Sequence, residues 1–154
     1  MKQAVQLLDE TFGTVDFISE TVPFVSSDYY APEMGEGLLR RWVSHLDLVE
    51  PDHLAGIKLT TNALERDLAA EDGRRRVNLD PGILSKERLV LATGKNAPHR
   101  IYLSGGVYAD LTLVYEKGEF KAQPWTYPDY AASPLPEMLK LVRKKYLGQL
   151  KEER

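Results

Sequence analysis

The residues of this chain whose types and settings could do chemistry are Arg76, Asn78, Asp80, His99, Arg100, Tyr108, Asp110, Trp125, Tyr127 and Asp129. In the stretch Arg74 to Asp80, Arg76, Asn78 and Asp80 alternate with Val77 and Leu79, the pattern of a half-buried strand with one polar face. Arg100 and Tyr102 share a face of a second strand, and Tyr108, Asp110 and Thr112 share a face of a third. If the three polar faces lie on one side of a sheet, they form a surface of guanidinium, carboxylate, amide and phenol groups. Such a surface suits a phosphorylated or carboxylated small molecule. Arg76 and Arg100 would hold the anion in forked hydrogen bonds, with carboxylates steadying the arginines or binding hydroxyls. The same pattern also fits a solvated sheet face laced with cross-strand ion pairs.

Asp80 and Asp129 each stand beside a proline in a tight turn, where an aspartate also bonds nearby backbone N–H groups. As functional groups the two carboxylates would transfer protons or bind a divalent cation. His99 opens a strand just after Pro98 and is a candidate acid or base. Trp125 and Tyr127, in a loop, are candidates to stack on a ring of the ligand.

Other chemistries are excluded by what is missing. With no cysteine there is no disulfide, thiolate nucleophile or cysteine-ligated metal. The three histidines, His45, His53 and His99, include no pair at helical ligand spacing, so no zinc site is expected. Thr93-Gly94-Lys95 and Ser104-Gly105-Gly106 do not match a phosphate-binding P-loop. The cofactor, if any, is undetermined. A formal charge of -3 gives no global pull toward nucleic acid or an anionic membrane. Local basic clusters exist at Arg74-Arg75-Arg76 and at Lys140, Arg143, Lys144 and Lys145, but no RNA-binding motif accompanies them. No apolar run is long enough to span a membrane. The N-terminus lacks the apolar core of a signal peptide, and a cytoplasmic location is expected.

The elements that must position these groups follow from periodicity. Ala4, Val5, Leu8 and Phe12 predict a helix over 2–12, stopped by Gly13. Strands are expected at Val15–Ile18 and Val22–Val25. The stretch 26–37 reads as a loop in which Tyr29 and Tyr30 plug the core or line a pocket. Residues 38–46 fit a short helix or a strand. Pro51 and Asp52 start a helix whose apolar stripe is Leu54, Ile57, Thr61, Leu64 and Leu68, with Gly56 as a possible break. Arg88–Thr93, His99–Leu103, Val107–Tyr115 and Phe120–Gln123 read as strands, with Ser104-Gly105-Gly106 and Glu116-Lys117-Gly118-Glu119 as hairpin turns. The prolines bar 124–130 from a central strand. A last helix follows Ser133-Pro134, with Leu135, Leu139, Val142, Tyr146 and Leu150 as its stripe.

Several of these blocks, in this order, resemble a family of bacterial and archaeal proteins called domain of unknown function 4416. They are Asp28-Tyr29-Tyr30, Glu33-Met34-Gly35, Lys58-Leu59-Thr60-Thr61-Asn62, Arg75 to Gly82, Leu89 to Thr93, His99 to Leu103, Tyr108-Ala109 and Trp125 to Tyr130. The resemblance implies no activity, since the family has none assigned. It does imply an apolar strand ahead of the first helix, which this chain lacks, pointing to a truncated or late-assigned start.

The reading is therefore a single α+β domain spanning 1–154. It has a helix-rich portion over 1–72, an antiparallel β meander of four to five strands with the Trp/Tyr/Pro loop over 73–130, and a C-terminal helix packed on the sheet over 131–154. Its expected function is a site for a small anionic ligand built from the residues above. The alternative is a non-catalytic RNA- or protein-interaction module using the basic C-terminal helix.

Overall fold

The computed structural model describes residues 1–24, 34, 37–132 and 134–152. The tyrosine pair Tyr29 and Tyr30 lies outside the described residues. The chain divides into two compact units, Met1–Leu79 and Asp80–Arg154. Its α+β architecture, with a mostly antiparallel sheet and a C-terminal helix, is the one that the periodicity predicts.

In the first unit, helix α1 (Lys2–Phe12) ends at Gly13, whose φ of 83° is left-handed and suits a residue without a side chain. Four short strands follow: β1 (Val15–Ile18), β2 (Val22–Pro23), β3 (Leu39–Arg40) and β4 (Val43–His45). β1 pairs with β4 and β2 with β3, both antiparallel. The two pairs are joined where Ser19 N–H reaches Trp42 O and Trp42 N–H returns to Ser19 Oγ, at 2.9 and 3.0 Å. The ambiguous stretch 38–46 is thus strand, because it supplies the partner that β1 and β2 need.

A 3-10 turn at Pro51–His53 leads into helix α2 (Leu54–Asp67). Gly56 is no break, since the helix runs through it with open space around it. The buried face is Leu54, Ala55, Lys58, Thr61 and Glu65, rotated from the expected apolar stripe.

That rotation explains the next stretch, 74–80, which alternates like a strand yet forms no ladder. Leu79, its penultimate residue, takes its partners from side chains of α2 instead. Glu65 Oε1 accepts from Leu79 N–H at 2.6 Å, and Lys58 Nζ donates to Leu79 O at 2.8 Å. Buried backbone groups need partners of some kind, and here two charged side chains supply them.

The second unit is a five-stranded antiparallel sheet of β5 (Gly82–Leu84), β6 (Arg88–Thr93), β7 (Arg100–Ser104), β8 (Val107–Glu116) and β9 (Glu119–Ala122). Its strand order is β5-β6-β8-β7, with β9 also on β8, so neighbours in the sheet are not all neighbours in sequence. The long strand β8 is the axis. β6 pairs along its residues 108–114, β7 with 107–110 and β9 with 113–116. Because β6 overlaps both ranges, β7 and β9 must share the opposite edge of β8, end to end.

Between them lies a bulge. Val90 faces Leu111 and Leu89 faces Leu113, so Thr112 is the extra residue on β8. Bulges bend a strand and re-aim its side chains. Gly105 and Gly106, at φ 57° and 77°, give the two-residue turn between β7 and β8 that a right-twisted hairpin favours.

A single-turn helix α3 (Pro128–Ala131) and helix α4 (Leu135–Glu152) complete this unit. Leu113, Val107 and Leu135 are almost wholly buried, with Leu89, Ala92, Phe120 and Tyr130 around them. Beyond Leu135, the expected stripe of α4 is only half-buried.

Candidate functional site

The polar cluster of the second unit centres on Asp110, which β8 buries beside the bulge. Arg100 stands opposite it on β7 in the ladder. Arg100 Nε donates to Asp110 Oδ2 at 2.8 Å, and His99 Nε2 lies 3.3 Å from the same oxygen. Thr112 Oγ1, two residues along the strand, sits 3.4 Å from Oδ1 and 3.1 Å from Asp110 O. Asp110 and Arg100 keep only 10% and 9% of their side-chain surface, so this pair is far less screened than a surface ion pair.

Arg100 is held from two further sides. Nη1 donates to Lys95 O at 2.9 Å, and the side chain hydrogen-bonds with Tyr127. Burial alone would lower the basicity of the guanidinium. The hydrogen bonds and charges of Asp110 and Tyr127 outweigh it, so the group is held above its ordinary value.

The loop 123–127 roofs the cluster, and the bulge explains how. At Leu111 and Thr112, where neither β7 nor β9 pairs, the carbonyls accept from loop side chains. Trp125 Nε1 donates to Leu111 O at 2.8 Å, and Thr126 Oγ1 donates to Thr112 O at 2.5 Å. Thr126 Oγ1 also accepts from Gln123 N–H at 2.7 Å, which closes the loop on itself. So anchored, the indole of Trp125 stacks on the His99 ring.

The structure therefore brings together His99, Arg100, Asp110, Trp125 and Tyr127. Tyr108 lies on the same strand as Asp110, two residues away, with its ring edge-on to Tyr102 at 5.4 Å. Asp129 stands in the first turn of α3, half-buried. Asp80, exposed, opens the second unit. Arg76 and Asn78 belong to the first unit. Asn78 Oδ1 accepts from Arg75 Nη1 at 3.1 Å, and Arg75 lies 3.6 Å from Glu65, while Arg76 is exposed. Among the described residues no group of three or more His, Cys, Asp or Glu side chains is placed to hold a metal ion.

Reading by periodicity missed Lys58, Glu65 and Thr126. The first two carried a detectable signal: Leu54, Lys58, Thr61 and Glu65 recur at helical spacing, so one helix face holds a base and an acid two turns apart. Nothing in the sequence marked Thr126.

The family model described as Domain of unknown function (DUF4416) matches residues 1–146. The chain belongs to this family. Residues 1–146 include every member of the Asp110 cluster and both α2 residues that hold Leu79. No curated protein and no solved structure compared with this DUF4416 chain matches it. No helix among the described residues is long and apolar enough to cross a membrane.

Proposed function

We propose that this DUF4416 chain binds a small phosphorylated or carboxylated molecule at the Asp110 cluster. The observation that carries this reading is the convergence of two cationic or potentially cationic side chains, His99 and Arg100, on one carboxylate oxygen beneath two exposed aromatic residues. A guanidinium has five N–H donors. Asp110, Lys95 O and Tyr127 engage Arg100 on three counts, which pre-orients it and leaves donors over for a ligand oxygen. Trp125 and Tyr127, 37% and 56% exposed, offer apolar area beside that charge. Asp110 has its oxygens occupied by Arg100, His99 and Thr112, so its role is to orient the Arg100 and His99 side chains.

The alternative, an RNA- or protein-interaction module on the basic face of α4, has less to draw on. Lys140 pairs with Glu137 at 2.8 Å, and Arg143 donates to Lys86 O at 2.8 Å with its guanidinium 3.6 Å over the Tyr115 ring. These cations already have partners within their own unit.

The test is thermal shift and tryptophan fluorescence of the whole chain, titrated with inorganic phosphate, citrate and a panel of sugar phosphates. Stabilisation that is lost in His99→Gln and Arg100→Lys but kept in Lys121→Ala, which removes an exposed cation of the same unit, supports the reading. An identical response in all four proteins, or none in any, overturns it. Steeply salt-dependent RNA binding without a small-anion response would favour the alternative.

A further inference from the structure

The first unit holds a cavity in which the Asp110 cluster has no part. About 390 Å³ in volume, it is lined by Lys2, Val5 and Asp9 of α1, Val15 and Ile18 of β1, and Arg41. Local structure makes each wall. Lys2, Val5 and Asp9 recur every three or four residues and so share one face of the helix. Val15 and Ile18 are three apart, a spacing that sends side chains to opposite faces of a regular strand. Asp16 is an extra residue between the Val15–His45 and Phe17–Ser44 pairings, and this bulge resets the alternation. Asp9 Oδ1 accepts from Val15 N–H at 2.7 Å, which ties the helix wall to the strand wall.

Arg41, from the link between β3 and β4, has no carboxylate to hold. Its Nη2 donates to the neutral Thr21 Oγ1 at 2.7 Å, and its Nε is buried with no acceptor among the described residues. Buried polar atoms are normally satisfied, so the charge of this guanidinium is only partly compensated. Lys2 adds a second cation to the lining, and Val5, Val15 and Ile18 make the rest of it apolar. Ile18 alone is 46% exposed.

We infer that this cavity binds a small monocarboxylate with a short apolar body. The carboxylate lies toward Arg41 and Lys2, and the hydrocarbon lies against Val5, Val15 and Ile18. Charge selects the head group. Two cations against the single carboxylate of Asp9 leave one positive charge, which a monoanion balances and a phosphate dianion exceeds. A guanidinium also matches the fork of a carboxylate. Volume limits the body: at the ~30 Å³ that a water takes up in the liquid, the cavity accommodates roughly a dozen non-hydrogen atoms. This ligand differs in class and place from the one assigned to the Asp110 cluster, so the two readings stand or fall separately.

The test is amide-correlation NMR and thermal shift of the whole chain titrated with isocaproate. Acetate, which lacks the apolar body, and isohexanol, which lacks the charge, serve as comparison probes. Isocaproate is expected to shift the amides of α1 and β1 saturably and to raise the melting temperature, with acetate and isohexanol at least tenfold weaker. Arg41→Gln and Ile18→Glu each weaken isocaproate binding at least tenfold. Lys121→Ala, which removes an exposed cation of the second unit, leaves it unchanged. Circular dichroism checks that each variant folds; should Arg41→Gln fail to fold, Ile18→Glu, at an exposed position, decides. No saturable response, isohexanol binding as tightly as isocaproate, binding indifferent to both variants, or shifts confined to the residues around Asp110 would each overturn the inference.

Discussion

The imidazole of His99 lies almost flat against the indole of Trp125, with ring centroids 4.8 Å apart and planes 14° from parallel. Neither ring is placed by its own strand alone. His99 is steered by Asp110, and Trp125 by the Leu111 carbonyl that the β8 bulge leaves open. The contact therefore ties the start of β7 to the loop after β9 across the middle of β8.

Replacing Trp125 tests how that tie is divided. Trp125→Phe keeps a ring for His99 but loses the donor to Leu111 O, an expected loss of about 1 kcal/mol in urea denaturation. Trp125→Ala also loses the stacking, for roughly 2 kcal/mol in all. Equal stability in wild type and Trp125→Ala would show that the loop is not anchored this way.

The buried pair beneath makes a sharper demand. Asp110→Asn leaves the Arg100 charge without its carboxylate and is expected to cost about 3–5 kcal/mol. Arg100→Met on its own strands the carboxylate instead. The double variant recovers a large part of the loss, so the cycle gives a strong coupling energy. Additive losses would mean that the two side chains do not interact in solution.

That coupling has a defined response to pH. Arg100 is held above its ordinary value, so its stabilising charge is fully present below the unfolded value and is lost only as pH rises through the still higher folded one. Between about pH 7.5 and 9.5 the guanidinium does not titrate, and the Arg100–Asp110 coupling energy should stay constant. A steep decline over that window would point to a different proton donor.

In the first unit, the grip on Leu79 is measurable by hydrogen exchange. Lys58→Met fits the same volume but leaves Leu79 O without its donor, at an expected cost of about 1–3 kcal/mol. Exchange over residues 74–80 should accelerate while that of α1 stays as in wild type. Unchanged exchange at Leu79 would contradict the contact.

Gly82 is the position where the sheet leaves no room for a side chain. A Cβ there would come within 2.7 Å of Leu91 Cδ2 and 2.8 Å of Val90 O. A leucine tip can swing aside but a backbone carbonyl cannot, so Gly82→Ala should destabilise by about 1–3 kcal/mol. Thermal melting reads the change, and a neutral result would mean that β5 sits further from β6.

Periodicity alone determined the helices α1, α2 and α4, most of the strands of the second unit and the Gly105-Gly106 turn, because each follows from short-range spacing or from a backbone that only glycine adopts readily. It also put Asp110 and Arg100 on polar strand faces. What it left open was which strand lies beside which. That choice rests on contacts between residues far apart in sequence, and it pairs β6 with β8 while β7 and β9 share one edge. Alternation likewise read 74–80 as a strand, where the actual partners are a lysine and a glutamate on a helix face. Only the folded chain decided that Thr112 would bulge, that Trp125 and Thr126 would take the two carbonyls beside it, and that His99 and Arg100 would meet at one oxygen. The physical reason is that hydrogen-bond partners are assigned by burial, and burial belongs to the assembled sheet.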